Sequence, residues 1–239
     1  MEEFTILPQN PTRTVAILGG TGQQGRGLAR RFARAGLRVT VGSRDPARAR
    51  ELVAGWTTLP TDQPIHVADN AAAVAAAEVT VLAVPYASID PLLEELRAQF
   101  KAGSLAIDLT VPVTFAGGKM AMLEVEEGSA AEHIRARLPD GVRLACAFKT
   151  VPAHLLGAGF DPLDCDEFVC GDSDEARADA AALVALLPGL RPVDVGALSR
   201  ARSIEHMTAL AIAINRRHKI HDARFRVVGF PQGSKVLRF

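Results

Sequence analysis

The stretch TVAILGGTGQQG, residues 14–25, decides the fold. Its first part, Thr14–Leu18, is a continuous β-branched and apolar run, the pattern of a strand buried on both faces of a parallel sheet. Glycines follow it directly. A helix then opens at Gln23, with Leu28, Ala29, Phe32 and Ala33 on one face and Gly36 as its stop. Gly20, Gly22 and Gly25 match G-x-G-x-x-G between a strand and a helix, the context that gives this spacing weight. Gly20 permits a tight turn, Gly22 lets a pyrophosphate approach the backbone, and Gly25 lets helix and strand pack closely. The free N–H groups and partial positive charge of the helix start suit phosphate. The alternative is a glycine turn that binds nothing.

Outward from this stretch, strands and helices alternate. Arg38–Val41 reads as a strand, and Pro46–Ala54 as a helix with Asp45 as N-cap and proline at its first position. Ile65–Val67 is a short strand, and Asn70 caps an alanine-rich helix to Ala77. Val79–Val84 is a strand stopped by Pro85, Ser88–Phe100 a helix, and Leu105–Val111 a strand. The alternation predicts an α/β fold: a doubly wound parallel sheet of the Rossmann type with right-handed crossovers. Beyond about residue 112 the rhythm loosens, Val142–Phe148 and Phe168–Cys170 read as additional strands, and a smaller, mainly helical C-terminal part follows. Asp172 caps a helix over Ser173–Leu187, with Glu175 completing a capping box. Leu198–Arg217 is a long helix carrying Ile204, Met207, Ala211 and Ile214 as a packing stripe. The expected division is a tail over 1–13, a dinucleotide domain over 14–150, a smaller domain over 151–230 and a tail over 231–239.

Composition removes several function classes. The chain has 239 residues, 48% hydrophobic and 23% charged, with a formal net charge of +0. Neutral balance argues against nucleic acid as partner. No apolar run is long enough for a membrane span, and the N-terminus lacks the apolar core of a secretion signal. Three cysteines without a C-x-x-C pattern suit a reduced, cytoplasmic chain. No metal-ligand spacing occurs: His218 and His221 lack a third ligand, and the acids between Asp161 and Asp174 lack the calcium-loop pattern.

The end of the second strand selects the dinucleotide. NAD proteins place an acid there for the ribose 2′-hydroxyl. Here Val41-Gly42-Ser43-Arg44 offers a hydroxyl and a guanidinium, with Arg48 one turn on, so a 2′-phosphate and hence NADP is expected. Arg26, Arg30 and Arg34 recur every four residues and read as a solvated helix face.

Longer stretches extend the reading. AILGGTGQQGRGLA, VTVGSR, VLAVPY, LTVPV, AFKTVPAHLL, VCGDSDEA and LPGLRPVDVGALSRARSIE together resemble the family of NADP-dependent oxidoreductases of the deazaflavin coenzyme F420, over most of residues 14–229. The resemblance implies that Gly20, Thr21, Gly22, Gln23, Gln24 and Gly25 hold the pyrophosphate, and Ser43, Arg44 and Arg48 the 2′-phosphate. Val84, Pro85, Tyr86 and Ile89 would run beside adenosine and ribose, and Pro112 and Val113 near the nicotinamide. Lys149, Thr150, Val151, Pro152 and Ala153 would lie where nicotinamide and deazaflavin meet, with Met207 and Ala223 closing over the latter. Hydride would pass directly between NADP(H) and F420, with no catalytic side chain and no metal, in a homodimer. Lys149 would place positive charge near the reduced deazaflavin. The alternatives are an NADP-dependent dehydrogenase or reductase of a small hydroxy acid or imine with Lys149 as acid, and a non-catalytic NADP-sensing domain.

Overall fold

A computed structural model describes residues 13–56, 63–117 and 119–230. The first half runs β1 (Thr14–Leu18), α1 (Gln23–Arg34), β2 (Arg38–Ser43), α2 (Pro46–Ala54), β3 (Ile65–Asp69), α3 (Asn70–Ala76), β4 (Val79–Leu82), α4 (Ile89–Leu96) and β5 (Leu105–Asp108). A hairpin of β6 (Val113–Ala116) and β7 (Lys119–Met122) follows. Then come α5 (Ala130–Arg137), β8 (Arg143–Cys146), α6 (Ala153–Ala158), β9 (Cys165–Gly171), α7 (Asp174–Ala185), β10 (Leu190–Ala197) and α8 (Ala201–His218). The expected tails lie outside the described residues, apart from Arg13.

Eight strands form one sheet in the order β10-β9-β8-β5-β4-β1-β2-β3. β1 pairs with both β2 and β4, all parallel, so the chain reverses its direction of growth between β1 and β4. Within this sheet, among the described residues, only β8 and β9 pair antiparallel, with Cys146 opposite Cys170. Alternation along β1 sends Val15 and Ile17 to one face, under Leu28 and Phe32 of α1. Leu18 goes to the other face, with Leu82, Leu93 and Ile134. Both faces are covered, as a parallel sheet requires.

The part beyond 150 is helical at α6, α7 and α8, and it also extends this sheet with β9 and β10. The expected boundary at 150/151 therefore separates no independent core: Val15 and Ile17 share one buried cluster with Val184 and Leu190.

Three local expectations change. Of Arg26, Arg30 and Arg34, the first and last are exposed as expected, but Arg30 is covered because α6 packs on α1. A Cβ on Gly27 would lie 2.6 Å from that of Leu156. Arg30 is buried, and Arg34 sits 4.3 Å over the Phe160 ring. Neighbouring Arg31 donates to the carbonyls of Leu155, Leu156 and Asp161, satisfying acceptors that a six-residue helix leaves open. The cap of α7 is Ser173, whose side chain accepts from Ala176, while Asp172 accepts from the Leu144 amide and from Arg135. The cap of α3 is Asp69, not Asn70.

Candidate functional site

Parallel strands share a carboxyl edge, and the glycine turn, Val84–Tyr86, Thr110–Val113 and Lys149–Ala153 all follow strand ends on that edge. The edge opens where the sheet reverses, the place where open α/β sheets bind ligands.

The tight turn belongs to Gly19, not Gly20. Gly19 has φ +74, and a Cβ there would stand 2.3 Å from the Ala83 carbonyl oxygen. Gly20 packs on Val41 instead, and Gly25 lets the first turn of α1 sit on the loop, where a Cβ would come within 2.6 Å of the Gly19 oxygen. Gly22 is exposed, with its amide donating to Gly19 at 3.0 Å. Thr21 and Gln23 are also exposed at the mouth of α1. Gln24 differs from expectation: its side-chain amide donates to the Phe148 carbonyl, joining the glycine turn to the start of the 149–153 segment.

Beside this turn lies a cleft of about 430 Å³ lined by Gly19, Thr21, Ser43, Arg44, Arg48 and Asn70, among others. Ser43 and Asp45 fold their own turn: the Ser43 hydroxyl donates to the Asp45 carbonyl at 3.0 Å, and the Asp45 carboxylate accepts from the Arg48 amide at 3.0 Å. That occupies Asp45 as a helix cap, and Asp69, in register with Ser43 at the end of β3, likewise caps α3. Arg44 and Arg48 reach the cleft exposed, and neither forms an ion pair among the described residues. Asn70, missed by sequence reasoning, is buried with its Oδ1 lacking a hydrogen-bond partner. It lies against Gly42, where a Cβ would approach that oxygen to 3.0 Å. An orphaned acceptor, two unpaired guanidiniums and an open helix start fit the adenosine and phosphate end of a dinucleotide.

Of the residues after β4, Val84 and Tyr86 are half-buried and Pro85 is exposed. Ile89 does not reach the edge. It is fully buried with Leu92, Leu93 and Leu96, because α4 turns that stripe to the core. Pro112 is buried and Val113 half-buried, at the base of the β6–β7 hairpin. Met207 is half-buried on α8, and the Ala223 amide donates to Asn215 Oδ1 at 2.9 Å.

The 149–153 segment holds the main correction. Lys149 offers no charge to the edge: its side chain is fully buried. The ammonium donates to Asp108 at 2.6 Å, to Glu205 at 3.3 Å and to the Thr110 carbonyl. Burial works against its charge, but Asp108 and its other anionic neighbours outweigh burial and raise its pKa above the usual lysine value. Glu205 is raised, chiefly by burial. A buried ammonium persists only with such balance. The Lys149 and Thr150 amides and the Thr150 hydroxyl all donate to Glu167, as does Val151. Glu167 is fully buried, and burial pushes its carboxyl up to about 7. Pro152 and Ala153, half-buried, begin α6. Sequence reasoning missed Asp108, Glu167 and Glu205. The signal for the first was an acid inside the apolar run LAIDLTV.

Fold and edge together define a Rossmann-type dinucleotide-binding protein whose cleft suits a 2′-phosphate. Residues 14–112 match the family model described as NADP oxidoreductase, coenzyme F420-dependent. An F420-dependent NADP reductase of Methanothermobacter thermautotrophicus is 37% identical over 223 residues, 91% of this chain and 96% of that protein. One of Methanocaldococcus jannaschii is 31% identical, over 89% of this chain and 97% of that protein. A crystal structure of a candidate F420-dependent NADP-reductase from Arthrobacter sp. FB24 superposes with a TM-score of 0.76 at 30% identity, covering 90% of this chain and 99% of its own. The chain belongs to the family of F420-dependent NADP oxidoreductases.

Proposed function

We propose that the protein passes a hydride directly between NADP(H) and the deazaflavin coenzyme F420, with no side-chain acid or base in the step. The observation that carries this reading is the carboxyl-edge cleft, where Arg44 and Arg48 stand without a carboxylate partner among the described residues while Asp45 is spent on a cap. When bound, the reduced nicotinamide supplies the hydride and the deazaflavin ring accepts it. The chain's residues bind and orient. The start of α1 and Gly22 receive the pyrophosphate, Ser43, Arg44 and Arg48 the 2′-phosphate, and Asn70 adds an acceptor. Val84, Pro85, Tyr86, Pro112 and Val113 line the path along the edge. Pro152 and Ala153, backed by Val151, which is buried in the core, present an apolar surface on which two rings stack and from which water is excluded. Met207 and Ala223 close that surface from the C-terminal side.

Lys149 as a general acid loses support, because an ammonium buried between two carboxylates neither reaches a substrate nor releases its proton readily. The division into a dinucleotide part and a C-terminal part is functional in this proposal, since the two parts share one core. A homodimer in the cytoplasm belongs to the same reading. The exposed apolar side chains Phe115, Leu123 and Leu210 offer surface for the pairing. Among the described residues no helix is long and apolar enough to cross a membrane.

The test is an anaerobic assay with NADPH and oxidised F420. Loss of the deazaflavin's visible absorption in step with NADPH oxidation is the expected result. Turnover of a small hydroxy acid or imine without F420 reduction would sink the proposal.

A further inference from the structure

We propose that Glu167 is a positioning residue for hydride transfer: its carboxylate clamps three successive backbone amides, those of Lys149, Thr150 and Val151, and so fixes the surface on which the two rings stack. This rests on the functional reading above, which places the rings on Pro152 and Ala153, directly after the buried, clamped residues 149–151.

One oxygen of Glu167 accepts from the Lys149 amide at 2.9 Å. The other accepts from the Thr150 hydroxyl at 2.9 Å, the Val151 amide at 3.1 Å and the Thr150 amide at 3.3 Å. Glu167 is fully buried, and no cation pairs with it among the described residues. The Lys149 ammonium is turned away to Asp108 and Glu205. Burying a carboxylate without a counter-ion costs several kcal/mol. What its ionised form provides that a neutral group does not is two acceptor-only oxygens, onto which consecutive N–H groups can converge.

The clamped segment is held from other directions as well. It leaves β8 through Phe148, whose φ of 61 is the left-handed region, unfavourable for a bulky side chain. Such a conformation persists where its surroundings over-determine it, and these positions cluster at functional sites. The Phe148 ring lies edge-on to Phe32 at 5.8 Å, and its carbonyl accepts from Gln24 of α1. Thr208 of α8 donates to the Lys149 carbonyl at 2.9 Å. Of these ties, Glu167 alone takes every amide from 149 to 151. With no catalytic side chain in the step, ring placement carries the rate, and a misplacement of about 1 Å costs on the order of a hundredfold.

The experiment compares the full chain with Glu167→Gln and Thr150→Val. In Glu167→Gln an NH₂ group must face backbone donors, so the segment shifts. The expected result is a kcat for F420 reduction lowered about tenfold to a hundredfold. The KM for NADPH and the affinity for 2′,5′-ADP, a probe of the adenosine end alone, stay within about threefold, or about 0.65 kcal/mol. Amide hydrogen exchange at 149–151, measured without any cofactor, accelerates. Thr150→Val keeps the carboxylate and the amides and removes one donor, so it folds and loses kcat to a smaller degree. Unchanged exchange at 149–151 in Glu167→Gln would overturn the clamp. Accelerated exchange with an unchanged kcat would overturn the placement of the rings on this segment, and the proposal with it.

Discussion

The Lys149 ammonium lies 2.6 Å from Asp108, both side chains fully buried, and Glu205 completes the group at 3.3 Å. This cluster ties β5 and α8 to the segment that follows β8. Removing one partner of a buried pair costs about 3–5 kcal/mol, because the charge left behind is uncompensated. Lys149→Met is therefore expected to lower stability by that amount, and at this chain length the Tm by roughly 6–20 °C. With the ammonium gone, Glu205, already raised by burial, loses the cation that holds it down, so the variant should lose stability as pH rises above the ordinary carboxylate range. Thermal melts from pH 5 to 8 check this. A melting curve like that of the parent chain would show the cluster to be incidental. Turnover measured below the melting range should fall by no more than about a hundredfold, since Lys149 does not touch the reacting atoms.

Under the proposed function, Arg44 is the residue expected to set the dinucleotide preference. Its guanidinium reaches the cleft beside Ser43 with no ion pair among the described residues. A charge-assisted hydrogen bond contributes about 1.5–3 kcal/mol, roughly tenfold to a hundredfold in affinity. Arg44→Ala should weaken NADP binding by that factor and leave NAD binding nearly unchanged, as read by calorimetry with both. An equal loss for the two would place Arg44 on the pyrophosphate or the fold.

Gly22→Val should abolish dinucleotide binding without unfolding the chain. Gly22 has φ −71 and ψ 167, extended backbone that valine adopts freely, and a Cβ there meets only the Gly19 oxygen, at 3.2 Å. The added bulk stands where the pyrophosphate must approach. A variant that melts normally and still binds NADPH would remove the glycine turn from the site.

Glu167 makes stability fall with pH in one window. Its carboxyl, pushed up to about 7 by burial against the opposing hydrogen bonds of Thr150 and the 149–151 amides, compares with 4.5 unperturbed. Between those values the folded chain holds a proton that the unfolded chain releases, so unfolding free energy declines as pH rises from about 4.5 to about 7, by on the order of 3 kcal/mol. The Cys165 thiol on the same strand is itself pushed up to about 12, chiefly by burial, and stays neutral there. Glu167→Gln should flatten this part of the curve in urea unfolding at stepped pH. A slope that survives the substitution belongs to another group.

Much of the fold was legible because it repeats a local signal. Each buried parallel strand reads as a short apolar run, and each crossover helix carries its own stripe and stop, as in α1 with Gly36. The antiparallel pairing of β8 with β9 had no such signal, nor did the hairpin β6–β7: Phe168–Cys170 looked like a strand without stating its neighbour. The glycine turn and the Ser43–Arg44 pair were likewise legible, since their chemistry lies in contiguous residues.

What the sequence by itself determined is the doubly wound sheet, the glycine turn between β1 and α1 and the exposed Arg44 and Arg48 after β2, all set by residues within one turn or strand of each other. Tertiary structure alone decided where the charges go. Lys149 meets Asp108 from 41 positions away and Glu205 from 56, and Glu167 gathers amides 16 to 18 positions back. A lysine in AFKTVPA reads the same whether it faces a ligand or the interior. Only packing of β5, β9 and α8 around it excludes water there, and in that dry interior an ammonium holds its charge by finding carboxylates and not by reaching a substrate.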